Sequence, residues 1–221
     1  MDHGYRNPSA VVWGAIDYDG NIYVYREFYQ TEWLIEEVCN GKKVGGQDLP
    51  GIVQLTGKEK IEYAKIDPST RARRAATGLS DFDIYRDNLP GGFPLQLANN
   101  DVAPGIDRVK SFLKVNPRTG KPRLYVFNTC INLIDEIAKY RYQTLASHQQ
   151  GKHAEKEEPV KMHDHALDAL RYLIMGQPEP PKDDLAERKL DRYATIEGSL
   201  AEELKEFKNP QRKDITGLYS D

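Results

Sequence analysis

With 221 residues, 39% hydrophobic and 29% charged, the chain carries enough apolar material for one α/β domain with an appendage, or for two small domains. Two distant cysteines, Cys39 and Cys130, exclude a disulfide framework and a cysteine-based zinc site. No run approaches the ~20 apolar residues of a membrane span, and a net charge of −3 is not that of a purely basic nucleic-acid-binding module.

Ser9 to Ile16 and Ile22 to Phe28 are β-branched and aromatic around the turn Asp17-Tyr18-Asp19-Gly20-Asn21, which predicts an antiparallel hairpin. Thr31 is placed to cap a short helix running to about Val38 and stopped by Asn40-Gly41. Lys42 to Gly57 is Gly-rich and reads as irregular. Ile61 to Ile66 predicts a third strand that Asp67-Pro68 ends, because proline cannot continue the ladder. Asp81 to Asn88 is a helix candidate and Phe93 to Ala98 a short strand. Ile106, Val109, Lys110 and Leu113 keep helical spacing, and Asn116 to Pro122 is a turn. Arg123 to Phe127 predicts a strand and Asn132 to Tyr142 a helix.

His148 to Pro159 is polar without apolar periodicity and is expected to be a mobile loop. His163 to Met175 predicts a helix closed by Gly176, and Pro178, Pro180 and Pro181 mark a linker. The expected organisation is a domain over 1–176 followed by a charged tail over 177–221, helical or partly disordered. A leading hairpin followed by alternating strands and helices predicts a mixed sheet, antiparallel at one side and parallel at the other, flanked by helices. No secretory leader is recognisable, so a reducing cytosol is the expected compartment.

Acids stand where such a sheet can use them. Asp67 ends a strand, and chemistry gathers at the carboxyl ends of strands in open α/β sheets; the alternative is a turn residue accepting a local hydrogen bond. Asp164 and Asp168 are four apart on one helix edge, with His165 nearby, and like charges at that spacing weaken a helix by a few tenths of a kcal/mol. A divalent cation would turn that repulsion into attraction; the alternative is a solvated acidic edge. Asp2 precedes the hairpin in an Asp-x-Gly step, with a frayed terminus as the alternative. Taken together, oxygen ligands from separate segments suit Mg²⁺ or Mn²⁺ rather than zinc. Two basic groups, Arg71, Arg73 and Arg74 and then Arg108 to Arg123, are candidates for phosphate contacts or for a solvated face.

The chain resembles the C-terminal nuclease domain of large terminase subunits from tailed phages. The residues that carry the resemblance are Asp2-His3-Gly4 with Asn7 to Trp13, Asp19 to Val24, Tyr63-Ala64-Lys65-Ile66-Asp67-Pro68-Ser69, Asn99-Asn100-Asp101-Val102 before Gly105-Ile106, and Asp164-His165-Ala166-Leu167-Asp168-Ala169-Leu170-Arg171-Tyr172. The resemblance implies an RNase H-like fold and a metal-dependent endonuclease acting through two divalent cations, Mg²⁺ or Mn²⁺. It implies concatemeric double-stranded DNA as substrate, cut with little sequence specificity in the host cytoplasm at the viral prohead. Asp2, Asp67, Asp164 and Asp168 match the family's metal ligands, and His165 joins them as a catalytic candidate. Which of Asp164, His165 and Asp168 touches metal is left open. Lys110, Lys114, Arg118 and Lys121 are the expected DNA-binding rim.

The family's first strand begins before its acid, so the strand at Met1 is expected to be truncated. No Gly-x-x-x-x-Gly-Lys-Ser/Thr occurs, so no ATPase activity is expected from these residues, and the packaging ATPase is expected in another domain. The portal and the small terminase subunit are further expected partners, with no membrane. Other readings are a different RNase H-like nuclease, such as a junction resolvase, or a non-catalytic packaging assembly module.

Overall fold

The computed structural model describes residues 1–75, 77–117, 119–141 and 164–177. Arg118, the expected loop at 148–159 and all of the expected tail beyond Gln177 lie outside the described residues.

The hairpin forms as its alternation predicts. β1 (Ser9–Ile16) pairs antiparallel with β2 (Ile22–Gln30), and Asp17 Oδ1 accepts from the amides of Asp19 and Asn21 to fix the turn. Pairing shifts between Trp13 and Gly14, whose partners are Arg26 and Val24, so Tyr25 is an extra residue on β2. Such a bulge reverses which side chains face which way beyond it. Ile22 and Val24 therefore join one core, and Phe28 joins the other.

β7 (Leu124–Val126) lies parallel to β2, and β5 (Ala64–Ile66) lies parallel to β6 (Leu95–Leu97). Met1 and Asp2 join the two groups of strands. Asp2 and Ala10 exchange both backbone hydrogen bonds at 2.8 and 2.9 Å. Met1 N donates to Lys65 O at 2.6 Å, and Asp67 N donates to Met1 O at 3.1 Å. The order is thus β7, β2, β1, the Met1–Asp2 pair, β5, β6: a mixed sheet, antiparallel around β1 and parallel at both sides. Beside Met1, a cavity of about 300 Å³ lies between β1 and the approach to β5, lined among others by Trp13, Gly14, Tyr63 and Lys65.

Two cores cover the sheet. One gathers Val11, Trp13, Phe28, Ile66 and Tyr85 with α1 (Ile35–Asn40), α2 (Ile52–Thr56) and α3 (Asp81–Asn88). The other gathers Ala10, Ile22 and Val24 with α4 (Val102–Leu113), α5 (Ile131–Lys139) and α6 (His165–Gly176). α6 packs on β1 and β5, and α4 and α5 pack on α6.

Several expectations shift. The first helix starts at Ile35, flanked by Leu34 rather than by a Thr31 cap, because Glu37 Oε2 reaches back to accept from Leu34 N at 2.8 Å. The segment read as irregular contains a hairpin, β3 (Lys42–Val44) with β4 (Gln47–Leu49), and α2. Its two-residue turn is Gly45-Gly46, with φ of 58° and 85°, the positive-φ pair that suits the twist of adjoining strands. The third strand is three residues, not six. Gly176 is the last residue of α6 rather than its stop, and Asp164 is the residue flanking its first turn.

Candidate active site

Asp2 projects from the middle of the sheet, held by its backbone exchange with Ala10, and is 9% exposed. Its Oδ2 lies 2.8 Å from His165 Nδ1, which comes from the first residue of α6. That hydrogen bond, with the negative charges of Asp2, Asp164 and Glu136, raises the His165 pKa above its usual value against the opposing effect of burial.

Asp67 follows β5 and flanks a 3₁₀ turn over Pro68–Arg71, where its Oδ1 accepts from Ser69 N at 2.8 Å. The turn function read from the sequence is therefore real, and it uses one oxygen. Asp168 sits one turn into α6. Its Oδ1 accepts from Arg171 Nε at 3.1 Å and Nη2 at 3.0 Å, while burial outweighs that guanidinium and raises the carboxyl pKa.

Three acids from three segments share one electrostatic neighbourhood. The buried Met1 ammonium is pushed down to about 5 by desolvation, against the charges of Asp2, Asp67 and Asp168. Burial pushes the Tyr172 phenol up, and Asp168, Asp67 and Asp2 add to it. Asp164 acts on His165 and Asp168 but makes no side-chain cap for its own helix.

Each acid has one oxygen committed to the protein: Asp2 to His165, Asp67 to Ser69, Asp168 to Arg171. Among the described residues, the second oxygen of each takes no hydrogen bond. The donor set is therefore hard, oxygen-only and held from behind, which fits Mg²⁺ or Mn²⁺ in kind. No three acid, histidine or cysteine side chains among the described residues are grouped as a ready metal cage, so these carboxylates would have to turn inward to share an ion.

A support layer stands behind them. Arg171 is 3% exposed and also donates to Asn100 Oδ1 at 2.7 Å, which Tyr172 OH reaches at 3.1 Å. Gly105 of α4 makes this possible, since a Cβ there would lie 2.6 Å from Arg171 Cδ. Glu136 of α5, 2% exposed, accepts from Leu167 N and from Tyr29 OH. His3, next to Asp2, lies 3.0 Å from Tyr85 OH and 3.7 Å from Asp81. Glu136 and Asn100 were not among the residues singled out for chemistry. An acid inside an apolar helix face, at Leu133-Ile134-Asp135-Glu136-Ile137, was the signal available for the first.

The expected DNA-binding lysines are not brought to the acids. Asn100 precedes α4 beside Arg171, whereas Lys110, Lys114 and Lys121 are exposed at and beyond the helix's other end. Twelve helical residues span ~18 Å. Arg71 ends the turn that Asp67 opens, Arg73 and Arg74 follow it, and all three are exposed, with Arg74 paired to Asp81.

The sequence profile described as the terminase RNase H-like domain matches residues 1–176. The chain belongs to that family. Among solved structures, the large terminase of a thermophilic bacteriophage in complex with ATP-γ-S is similar to this terminase domain with a TM-score of 0.54 at 22% identity. The match covers 78% of this chain and 38% of that one. The ADP complex of the same phage protein gives 0.54 at 22% identity, covering 78% and 37%. The nuclease domain of the phage P22 large terminase gives 0.49 at 22% identity, covering 79% and 77%. At these identities the likeness to the thermophilic phage protein shows the fold alone, and the chain spans less than two fifths of that protein. No curated protein matches the sequence. No helix among the described residues is long and apolar enough to cross a membrane.

Proposed function

We propose that this terminase domain is a divalent-cation-dependent endonuclease that cuts concatemeric double-stranded DNA during viral packaging, with little sequence preference. The observation that supports the reading is contact among the three segments: Asp67 N bonds to the carbonyl of Met1, next to Asp2, and Asp2 bonds to His165, three residues before Asp168. Two Mg²⁺ or Mn²⁺ ions, when bound, would lower the pKa of an attacking water and stabilise the leaving 3′ oxygen.

The protein's own contribution is orientation. His165 fixes one oxygen of Asp2, Arg171 one of Asp168, and the Ser69 amide one of Asp67, which leaves the second oxygen of each for a cation. Asp164 adds negative charge at the start of α6. Lys110, Lys114, Arg118 and Lys121 are proposed to hold DNA phosphates away from the acids, and phosphate contacts carry no base information. The packaging ATPase would be supplied by another domain, and the portal and small subunit are proposed partners at the prohead in the host cytoplasm. The segment over 177–221 is proposed as a separate charged tail.

Incubating plasmid with the protein and Mn²⁺ tests the reading. Cleavage that EDTA stops, and that Asp168→Asn or Asp67→Ala lowers by at least roughly 100-fold, is expected, because lost metal ligands cost at least as much as lost outer-shell partners. Equal cleavage by both variants and the parent would overturn it. Linear duplex should be cut as readily as a four-way junction; junction-only cleavage would favour a resolvase, and no cleavage an assembly module.

A further inference from the structure

α5 and α6 both begin without a side-chain cap of their own: the flanking residues, Cys130 and Asp164, make none. Each first turn is instead held by a glutamate from elsewhere. Glu27 of β2 accepts from Asn132 N at 2.8 Å and Leu133 N at 3.0 Å, the second and third amides of α5. Glu136 of α5 then accepts at Oε2 from Leu167 N at 3.0 Å, the third amide of α6. Its Oε1 accepts from Tyr29 OH of β2 at 2.8 Å. The Tyr25 bulge puts Glu27 and Tyr29 on this face of the sheet.

Glu136 is a buried carboxylate with both oxygens bonded, one to the sheet and one to the helix that carries His165 and Asp168. A charge at the N-terminal end of a helix also meets the favourable end of its dipole. We propose that Glu136 is a positioning residue for the acid site. By joining Tyr29 to Leu167, it fixes where α6 begins, and therefore where His165 meets Asp2 and where Asp168 stands. Without that link, the first turn of α6 has four amides and no side-chain acceptor, and the turn that frays is the one bearing the site.

The inference rests on the proposal that these acids hold a divalent cation, and the tests separate the two. Mn²⁺ binding by calorimetry and hydrogen exchange of the Leu167 amide are measured on the parent, Glu136→Gln and Glu136→Ala. Gln can accept from Leu167 N and donate to Tyr29 OH, so it should keep Leu167 protected and bind Mn²⁺ within a few-fold of the parent. Ala should lose Leu167 protection and weaken Mn²⁺ binding by roughly 10- to 100-fold, the usual cost of removing an outer-shell partner. Full protection and unchanged affinity in Glu136→Ala would overturn the inference. So would a Glu136→Gln variant as impaired as Glu136→Ala, because charge rather than placement would then be the agent. If the parent binds no Mn²⁺, the cation reading fails, while Leu167 exchange still decides the positioning role. Should Glu136→Ala not fold, Tyr29→Phe takes its place. It should show faster Leu167 exchange and weaker Mn²⁺ binding, and parent values for both would overturn the inference.

Discussion

The contact between Asp2 and His165 joins residues 163 positions apart, and its strength depends on pH in a definite direction. The His165 pKa is raised in the folded state, chiefly by the hydrogen bond to Asp2. Its stabilising contribution is complete below the unfolded value near 6.5 and disappears as pH rises through the higher folded value. In EDTA, the gap in melting temperature between the parent and His165→Gln should therefore be larger at pH 6 than at pH 9. A gap that stays constant across that range would show that the imidazolium charge contributes nothing. The sequence made Asp2, Asp67, Asp168 and His165 visible because acid-bearing motifs can be recognised locally. It could not show which oxygen of each acid is already occupied, since His165 lies far along the chain from Asp2 and only folding brings them together. At Asp67 the turn reading holds: one oxygen closes the turn, and the other takes no hydrogen bond among the described residues.

Elements with local signals were legible, and the distant partners that hold some of them were not. α3 runs over Asp81–Asn88 as predicted because Ser80 Oγ accepts from Asp83 N at 3.1 Å and the Asp83 carboxylate accepts in return from Ser80 N. The pair is a reciprocal cap written within four residues. Ser80→Ala should lower stability by about 1 kcal/mol in urea titration. It should also loosen the contacts of His3 with Asp81 and Tyr85, seen as faster exchange at the start of α3; a stability change near zero would mean the cap is redundant. By contrast, α5 and α6 were read from apolar spacing to within two residues of their starts, but no pattern near Cys130 or Asp164 announces that Glu27 and Glu136 hold their first turns. The Tyr25 bulge is equally silent, because Ile22 to Gln30 is apolar enough on both sides to alternate in either phase. The Gly45-Gly46 hairpin was missed for a different reason: three-residue strands rich in Lys and Gln carry too little alternation to stand out.

At the scale of the molecule, a net charge of −3 has to be reconciled with the proposed polyanionic substrate, and the proposed reconciliation is spatial. The charges of Asp2, Asp67 and Asp168 act on Met1 and Tyr172, whereas Lys110, Lys114 and Lys121 stand at and past the far end of α4. That helix is ~18 Å long, about five base pairs of duplex at ~3.4 Å each. A duplex lying across both regions would thus have its cut site near the acids and its phosphates gripped several base pairs away. Replacing all three lysines by alanine should weaken binding of a duplex of about 30 base pairs. It should also flatten the plot of log affinity against log salt by roughly one unit for each lysine that meets a phosphate. If the slope does not change, the duplex does not run along α4. Arg71 and Arg73, which follow Asp67 closely in the chain, then become the phosphate contacts to remove, and the same plot measured on Arg71→Ala with Arg73→Ala decides between the two paths.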